Sequence, residues 1–260
     1  MQPLRDVLDK VSRKEITPEE AEKMLKLLAV DELGCLAKLD GNRELRKGIP
    51  EVILAEGKTP ADVAEICQVM LANNGRVIVS RCSGAHFEAI KALPTDGLKV
   101  EFNDKARMVV LKKQSFLVPD SGGRVGILTA GTSDIPVAEE AKVIAQEMGC
   151  KVYANYDVGV AGIHRLMEPI KQLIEADVDV VVVVAGREGA LASVVSGLVD
   201  VPVIAVPTSN SYGFGAKGEA TLMAMLQSCS LGLAVVNIDG GVAAGAVATL
   251  IANRAAKYRE

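Results

Sequence analysis

The stretch VDVVVVVAGREGA, residues 178–190, decides how this chain is read. Residues 180–185 are aliphatic without interruption, closed by Asp179 on one side and Gly186 on the other. The run is far too short for a membrane span, which needs about 20 residues. A strand with one wet face alternates apolar and polar side chains. A strand apolar at every position has both faces covered, as in a parallel sheet with helices on each side. The pattern recurs in RVGILTA from 124, KVYANYD from 151, VPVIAVPT from 201 and LGLAVVNID from 231, each followed by a helical stretch. Starts 20 to 30 residues apart are the period of βα units. The second half is therefore expected to be an α/β fold with an open, doubly wound parallel sheet.

The first half reads differently. Residues 4–31 carry helical apolar spacing in two pieces, a hairpin whose second helix is capped by Thr17 ahead of Pro18 and Glu20. From 33 to about 113 a small α/β piece is expected. Its strands are CLAKLD, EVILAE, RVIVSR and the pair LKVEF/ARMVVLK, turned by FNDKA, with TPADVAEICQVMLANNG as a helix between. VPDSGG, residues 118–123, combines Pro, Asp, Ser and paired Gly and reads as a linker. Two domains are expected, 1–118 and 119–260.

Composition narrows the function. Hydrophobic residues make up 49% and charged residues 24% of 260, a globular balance. With no Trp, 3% aromatics and a formal charge of -4, the chain lacks both stacking platforms and the basic footprint of a nucleic-acid binder. The charged, amphipathic start MQPLRDVLDKVSRKE has no apolar signal core, and no membrane association is expected. Five cysteines (35, 67, 82, 150 and 229), odd in number and without CxxC spacing, read as reduced thiols of a cytoplasmic protein.

In doubly wound sheets ligands bind beyond the carboxyl ends of the strands. The loops expected there are AGTSD (130–134), DVGVAGIHR (157–165), GREGA (186–190), PTSNSYGFGAKGE (207–219) and DGG (239–241). In the first, Gly131 permits close backbone approach, Thr132 and Ser133 offer hydroxyls, and the free N–H groups of a helix start favour an anion. Ordinary capping by Ser133 or Asp134 is the plain alternative. His164 has the pKa range for proton transfer, or is a helix-start histidine bonded to backbone. Glu188, close behind a buried strand, is either desolvated or paired with Arg187. Arg43 and Arg46, three apart, suit a fork on phosphate or carboxylate, with Lys58 as a further charge; a solvated basic turn is the plainer alternative. His86 reads as structural or as lining of a substrate edge.

Cys229 sits in MLQSCSLGLAVVNIDGG, after the fourth helix and before the fifth strand of the second half. That is the edge opposite the ligand loops. Cys35, Cys67 and Cys150 read as buried, inert thiols. The serines flanking Cys229 suggest a turn, so a reactive Cys229 implies an oligomer in which another subunit brings it to the site.

Over roughly residues 123–255 the second half resembles the aminoimidazole ribonucleotide carboxylase (PurE) family, a Rossmann- or flavodoxin-like fold. GTSD with its helix, GIHR, the AG-initiated loop after the valine run, PVIAVP and the closing glycine/alanine helix carry the likeness. The loop GREGALASV departs from it, where that family has a glycine/alanine-rich loop with His and Pro, and Cys229 is outside its pattern. These departures, with RELRKGIPEVILAEGKT and LQSCSLGLAVVNIDGG, resemble over nearly the full chain the LarB-type enzymes that begin nickel-pincer nucleotide synthesis.

That resemblance implies carboxylation of the pyridinium ring of nicotinic acid adenine dinucleotide, using carbon dioxide or bicarbonate, and hydrolysis of its phosphoanhydride. It implies Cys229 as nucleophile and Glu188 and His164 as proton-transfer groups. Ser133 and Asp134 would contact the ligand, and Arg43, Arg46 and Lys58 would contact the dinucleotide. It also implies a magnesium ion on the phosphates, with no ligand set legible, and a homo-oligomer, an octamer by analogy with the purine relatives. The rivals are a purine-pathway carboxylase or mutase, which needs only the second half, and a nucleotide-binding module without chemistry.

Overall fold

The computed structural model describes residues 2–31, 43–94, 96–211 and 213–259; the side chains of 2–5, 26–31, 45, 46, 73 and 216 also lie outside the description. The expected strand CLAKLD and Cys35 fall outside these residues. The chain opens with the helical hairpin, α1 (Gln2–Ser12) and α2 (Pro18–Asp31). Thr17 caps α2 as expected. Its hydroxyl accepts from the Glu20 amide at 3.2 Å, and its own amide donates to the Glu20 carboxylate at 2.8 Å.

The first α/β piece follows: α3 (Arg43–Lys47), β1 (Val52–Leu54), α4 (Pro60–Asn74), β2 (Arg76–Ser80), α5 (Gly84–Lys91), β3 (Leu98–Asn103) and β4 (Met108–Lys113). α4 begins in a capping box of Thr59 and Asp62 with Pro60 in its first turn, and stops at Gly75, whose φ of 72° favours glycine. The strands form one sheet in the order β1-β2-β4-β3, with only the β1–β2 pair parallel. β3 and β4 are the expected hairpin.

The second half is the expected all-parallel sheet. It comprises β5 (Arg124–Thr129), α6 (Ile135–Glu147), β6 (Lys151–Asn155), α7 (His164–Glu175), β7 (Val180–Ala185), α8 (Ala190–Ser196), β8 (Val203–Pro207), α9 (Glu219–Leu226), β9 (Leu233–Val235) and α10 (Gly241–Ala256). The strand order is β6-β5-β7-β8-β9. The valine run is central and wholly buried. Val180, Val182 and Val184 pack in the layer with α6 and α10, while Val181, Val183 and Ala185 pack with α7 and α8. At roughly 1.5 kcal/mol or more per buried side chain, this strand alone anchors both layers. α10 lies tight on α6 because it carries glycine at the crossing: a Cβ at Gly245 would stand 2.6 Å from the Ala141 carbonyl oxygen.

The two halves share a core. One face of the four-stranded sheet packs under α4 and α5 through Ile53, Val77, Val79, Val109 and Leu111. Its other face, with Ile78, Met108 and Val110, packs against Val143, Ile144 and Met148 of the α6 end and Ala246 of α10. Beside this apolar seam Glu147 receives Lys112 Nζ at 2.7 Å and Arg76 Nη1 at 3.3 Å, all three side chains being buried. Among the described residues no helix is long and apolar enough to cross a membrane.

Candidate functional site

The strand order reverses between β5 and β7, and a cavity of about 280 Å³ opens there, beyond the carboxyl ends of these strands. Gly131, Ser133 and Asp134 line it from the loop after β5, and Gly159, Val160 and Arg165 from the loop after β6. Gly186, Arg187 and Glu188 line it from the loop after β7, and Asn210 from the loop after β8. The volume is at the lower limit of small-ligand sites, roughly 300 to 1,000 Å³, so a dinucleotide would extend beyond it.

Asp134 is the buried centre of this edge. Its Oδ1 accepts from Thr208 Oγ1 at 2.7 Å and its Oδ2 from the Gly131 amide at 2.9 Å. Burial raises its pKa, and the bonds from Thr208, Gly131, Gly186 and Asn210 oppose the rise. Its oxygens are thus engaged in shaping the loops. Asn210 Nδ2 donates to the Ser133 carbonyl at 2.6 Å, locking the first and fourth loops together. Gly159 has no Cβ because one would stand 2.6 Å from the Ala130 carbonyl oxygen.

Asp157, Arg187, Lys217 and Asp239, in the loops after β6, β7, β8 and β9, all have left-handed backbone, φ 59°, 53°, 55° and 54°. Non-glycine residues held in that region store strain, typically where function fixes a loop.

Not every expected residue meets at the cavity. Gly131, Ser133, Asp134 and Glu188 do. Thr132 opens the short 3-10 turn beneath them. Glu188 is exposed at the cavity within one chain, so the desolvated alternative is not met there. His164 is the exposed first residue of α7, and the cavity is lined by the next residue, Arg165, one helical position round. Arg165 was legible only as a neighbour of His164, yet it is a cation of the cavity, held 3.1 Å from Asp157. A guanidinium at that position suits an anionic group.

The first-half candidates stand elsewhere. Arg43 pairs with Glu51 at 3.0 Å, Lys58 Nζ donates to the Leu54 carbonyl at 2.8 Å, and the Arg46 side chain lies outside the described residues. Neither Arg43 nor Lys58 lines the cavity, and the expected Arg43/Arg46 fork lies outside the described residues. His86 is structural: buried, its Nδ1 faces the Ser83 amide at 3.0 Å and its Nε2 the Lys58 carbonyl at 3.0 Å, which caps α5. Instead Arg81, left-handed at φ 54°, reaches the ligand edge, donating to the Asp239 carbonyl at 3.2 Å.

Cys229 lies in the turn before β9, on the opposite edge. Leu233 pairs with Val203 and Ala185 with Pro207, so the length of β8, roughly 17 Å at 3.3 Å per residue, separates that turn from the cavity. Ser230 Oγ donates to the Ser193 carbonyl at 2.8 Å and the Ser228 hydroxyl meets that of Ser193 at 2.8 Å, which fixes the turn against α8. Cys229 is exposed, whereas Cys67, Cys82 and Cys150 are buried. Burial pushes the Cys67 thiol up to about 12 and that of Cys82 to about 11, which makes both inert near neutrality. No group of three His, Cys, Asp or Glu among the described residues is placed to hold a metal.

Beneath the DGG turn, Glu140 of α6 is buried against the start of α10. A Cβ on Gly241 would stand 2.8 Å from its Oε2, and the Val242 amide bonds to it. Burial pushes its pKa up to about 7, with Arg81 opposing. A carboxyl raised in the folded state contributes stability below its unfolded value, near 4.5, and loses it as pH rises through about 7. Glu140→Gln should therefore be more stable than the parent at pH 8 by on the order of 3 kcal/mol and nearly equal at pH 4. Urea unfolding at both values checks this; a constant difference between the two proteins would contradict it.

A family model for the LarB/PurE-like N-terminal domain matches residues 30–114, and one for AIR carboxylase matches residues 124–260. An uncharacterized protein of Methanocaldococcus jannaschii is 43% identical over 251 residues, 96% of each chain. Two N5-carboxyaminoimidazole ribonucleotide mutases are similar over about half of this chain. That of Thermotoga maritima is 26% identical over 147 residues, 53% of this chain and 84% of its own. That of Pyrococcus horikoshii is 30% identical over 132 residues, 49% of this chain and 71% of its own.

Proposed function

The chain belongs to the LarB/PurE-like family, its second half being an AIR carboxylase domain, and on that premise we propose that it carboxylates and hydrolyses nicotinic acid adenine dinucleotide at the start of nickel-pincer nucleotide synthesis. The products are the 3,5-dicarboxylated pyridinium mononucleotide and AMP. The observation that carries this reading is the exposure of Cys229 in a fixed turn while the other described cysteines are buried.

The chemistry gives the thiol its purpose. C5 of a pyridinium ring is electron-poor and does not attack carbon dioxide. Addition of the Cys229 thiolate to C6 neutralises the ring nitrogen and makes C5 an enamine carbon. C5 then bonds to carbon dioxide, a base takes the C5 proton, and expulsion of the thiolate restores the aromatic cation. One hard step becomes several easier ones. Glu188 and His164 are the proposed proton-transfer groups, and water cleaves the phosphoanhydride.

Because Cys229 and the cavity occupy opposite edges of one sheet, the proposed site draws Cys229 from another copy of the chain. Exposed Met223, Leu226 and Leu231 around Cys229 offer the apolar surface for such an assembly. Among the described residues no group of three His, Cys, Asp or Glu is placed to hold a metal by itself, and the Asp134 oxygens already accept from Thr208 and Gly131, so a magnesium ion would be held chiefly by the substrate phosphates. No step of the proposal runs through a metal.

The test is incubation of the purified protein with the dinucleotide and bicarbonate, followed by mass spectrometry. Release of AMP with a mononucleotide heavier by one carboxyl group is expected. The mutase relatives favour a second reading, and turnover of N5-carboxyaminoimidazole ribonucleotide with no change in the dinucleotide would establish it instead. Binding with neither product would leave a module without chemistry.

A further inference from the structure

A short chain of polar contacts links the small domain's hairpin to a cation that lines the cavity. Asn103, at the hairpin tip, donates from Nδ2 to Glu139 Oε2 at 2.8 Å, while its Oδ1 accepts from the Ala106 amide at 3.0 Å. Glu139 lies on α6, buried, and its other oxygen accepts the Tyr156 hydroxyl and Lys142 Nζ, the latter at 3.1 Å. Burial works to raise the Glu139 pKa, but the bonds from Tyr156, Asn103 and Lys142 outweigh it and hold the carboxyl below its ordinary value. Glu139 is therefore an ionised acceptor that fixes donors from two sides.

Tyr156 stands at the carboxyl end of β6, directly before Asp157. Asp157 is left-handed at φ 59°, its amide bonded to Thr129 Oγ1 at 2.9 Å and its carboxylate paired with Arg165 at 3.1 Å. Arg165 lines the cavity. An unbroken path thus runs from the first domain to a cation at the site: Asn103, Glu139, Tyr156, Asp157, Arg165.

We infer that Asn103 is a positioning residue, which sets Arg165 to receive the anionic group of the substrate through Glu139 and Tyr156. This rests on the dinucleotide reading for the identity of the substrate, but not for the anion site itself. A contact remote from the reacting ring carbon is made alike in ground and transition states, so its loss raises KM and spares kcat.

Asn103→Asp is the sharpest variant. It is isosteric, keeps the acceptor for the Ala106 amide, and places a carboxylate against Glu139 where a donor stood. KM for the dinucleotide should rise about tenfold at pH 8, with kcat within about twofold. The defect should shrink as pH falls toward 5, because a protonated introduced carboxyl donates again. Tyr156→Phe should raise KM similarly, and the double variant should be no worse than the worse single, as expected of groups on one path. Lys112→Met, which breaks the separate Lys112–Glu147 pair, should lower the melting temperature without moving KM.

Titration with inorganic phosphate, followed by calorimetry, tests the anion site whatever the substrate is. If the parent does not turn over the dinucleotide, the reading of function fails. The positioning role then stands on about tenfold weaker phosphate binding in Asn103→Asp than in the parent. Unchanged KM and phosphate affinity in Asn103→Asp and Tyr156→Phe overturn the inference. So does a KM defect in Asn103→Asp independent of pH, or a parent that binds no phosphate at all.

Discussion

Cys229→Ala is expected to abolish carboxylation of the dinucleotide, by on the order of 10³-fold or more, the scale on which loss of a covalent nucleophile acts. The fold should survive. Cys229 is exposed in a turn held by Ser228 and Ser230, and exposed substitutions usually change stability by less than about 0.5 kcal/mol. Circular dichroism and a melting curve confirm folding, and mass spectrometry of the product reads activity. A variant that still carboxylates would remove the covalent route.

The same variant examines the proposed sharing of sites. Neither Cys229→Ala nor Glu188→Ala alone should turn over substrate. Subunits dissociated, mixed in equal parts and reassembled should recover about a quarter of the parental rate, because a site drawing on two copies is then whole by chance in one case in four. Absence of recovery, or a fully active monomer on light scattering, would place Cys229 and Glu188 in one subunit's site and contradict the opposite-edge geometry.

Glu147→Ala should cause the largest loss of stability. Arg76 and Lys112 both end on Glu147 in the seam between the halves, and truncating it removes the one buried carboxylate they share, leaving Arg76 with the more exposed Glu44 at 2.7 Å and Lys112 with Glu101 at 3.7 Å. Breaking a buried pair from one side costs about 3 to 5 kcal/mol, out of a total of roughly 5 to 15. The melting temperature should fall by roughly 10 °C. Replacing Arg76, Lys112 and Glu147 together by apolar residues of similar volume should recover much of the loss, since the penalty lies in the unpaired charges and not in the absent bridge. If Glu147→Ala melts with the parent, the seam is held by its apolar contacts alone.

How the seam forms also explains what could not be read ahead. Glu139, Glu140 and Glu147 of α6 are acidic side chains on a helix, which composition alone assigns to solvent. They are buried because Asn103, Arg81, Arg107, Arg76 and Lys112 of the first domain meet them. Each partner lies more than thirty residues away, and no local period announces such a meeting. The order of His164 and Arg165 is a similar case. Their adjacency in GIHR was plain, but which one faces the cavity depends on the turn at which α7 begins. Arg81 and Asn210, whose side chains tie the ligand edge together, carried no motif at all.

The sequence by itself determined the five parallel strands, their loops at one edge, the capped helical hairpin and the location of Cys229 at the other edge. Those features are local, because strand period, capping and chain order are written within a few residues of each other. Only the tertiary structure decided that the two halves share a core, that Arg165 faces the cavity, and that Glu188 stays exposed in one chain. Those outcomes rest on which distant surfaces meet, and burial and charge pairing are properties of the meeting, not of either segment alone.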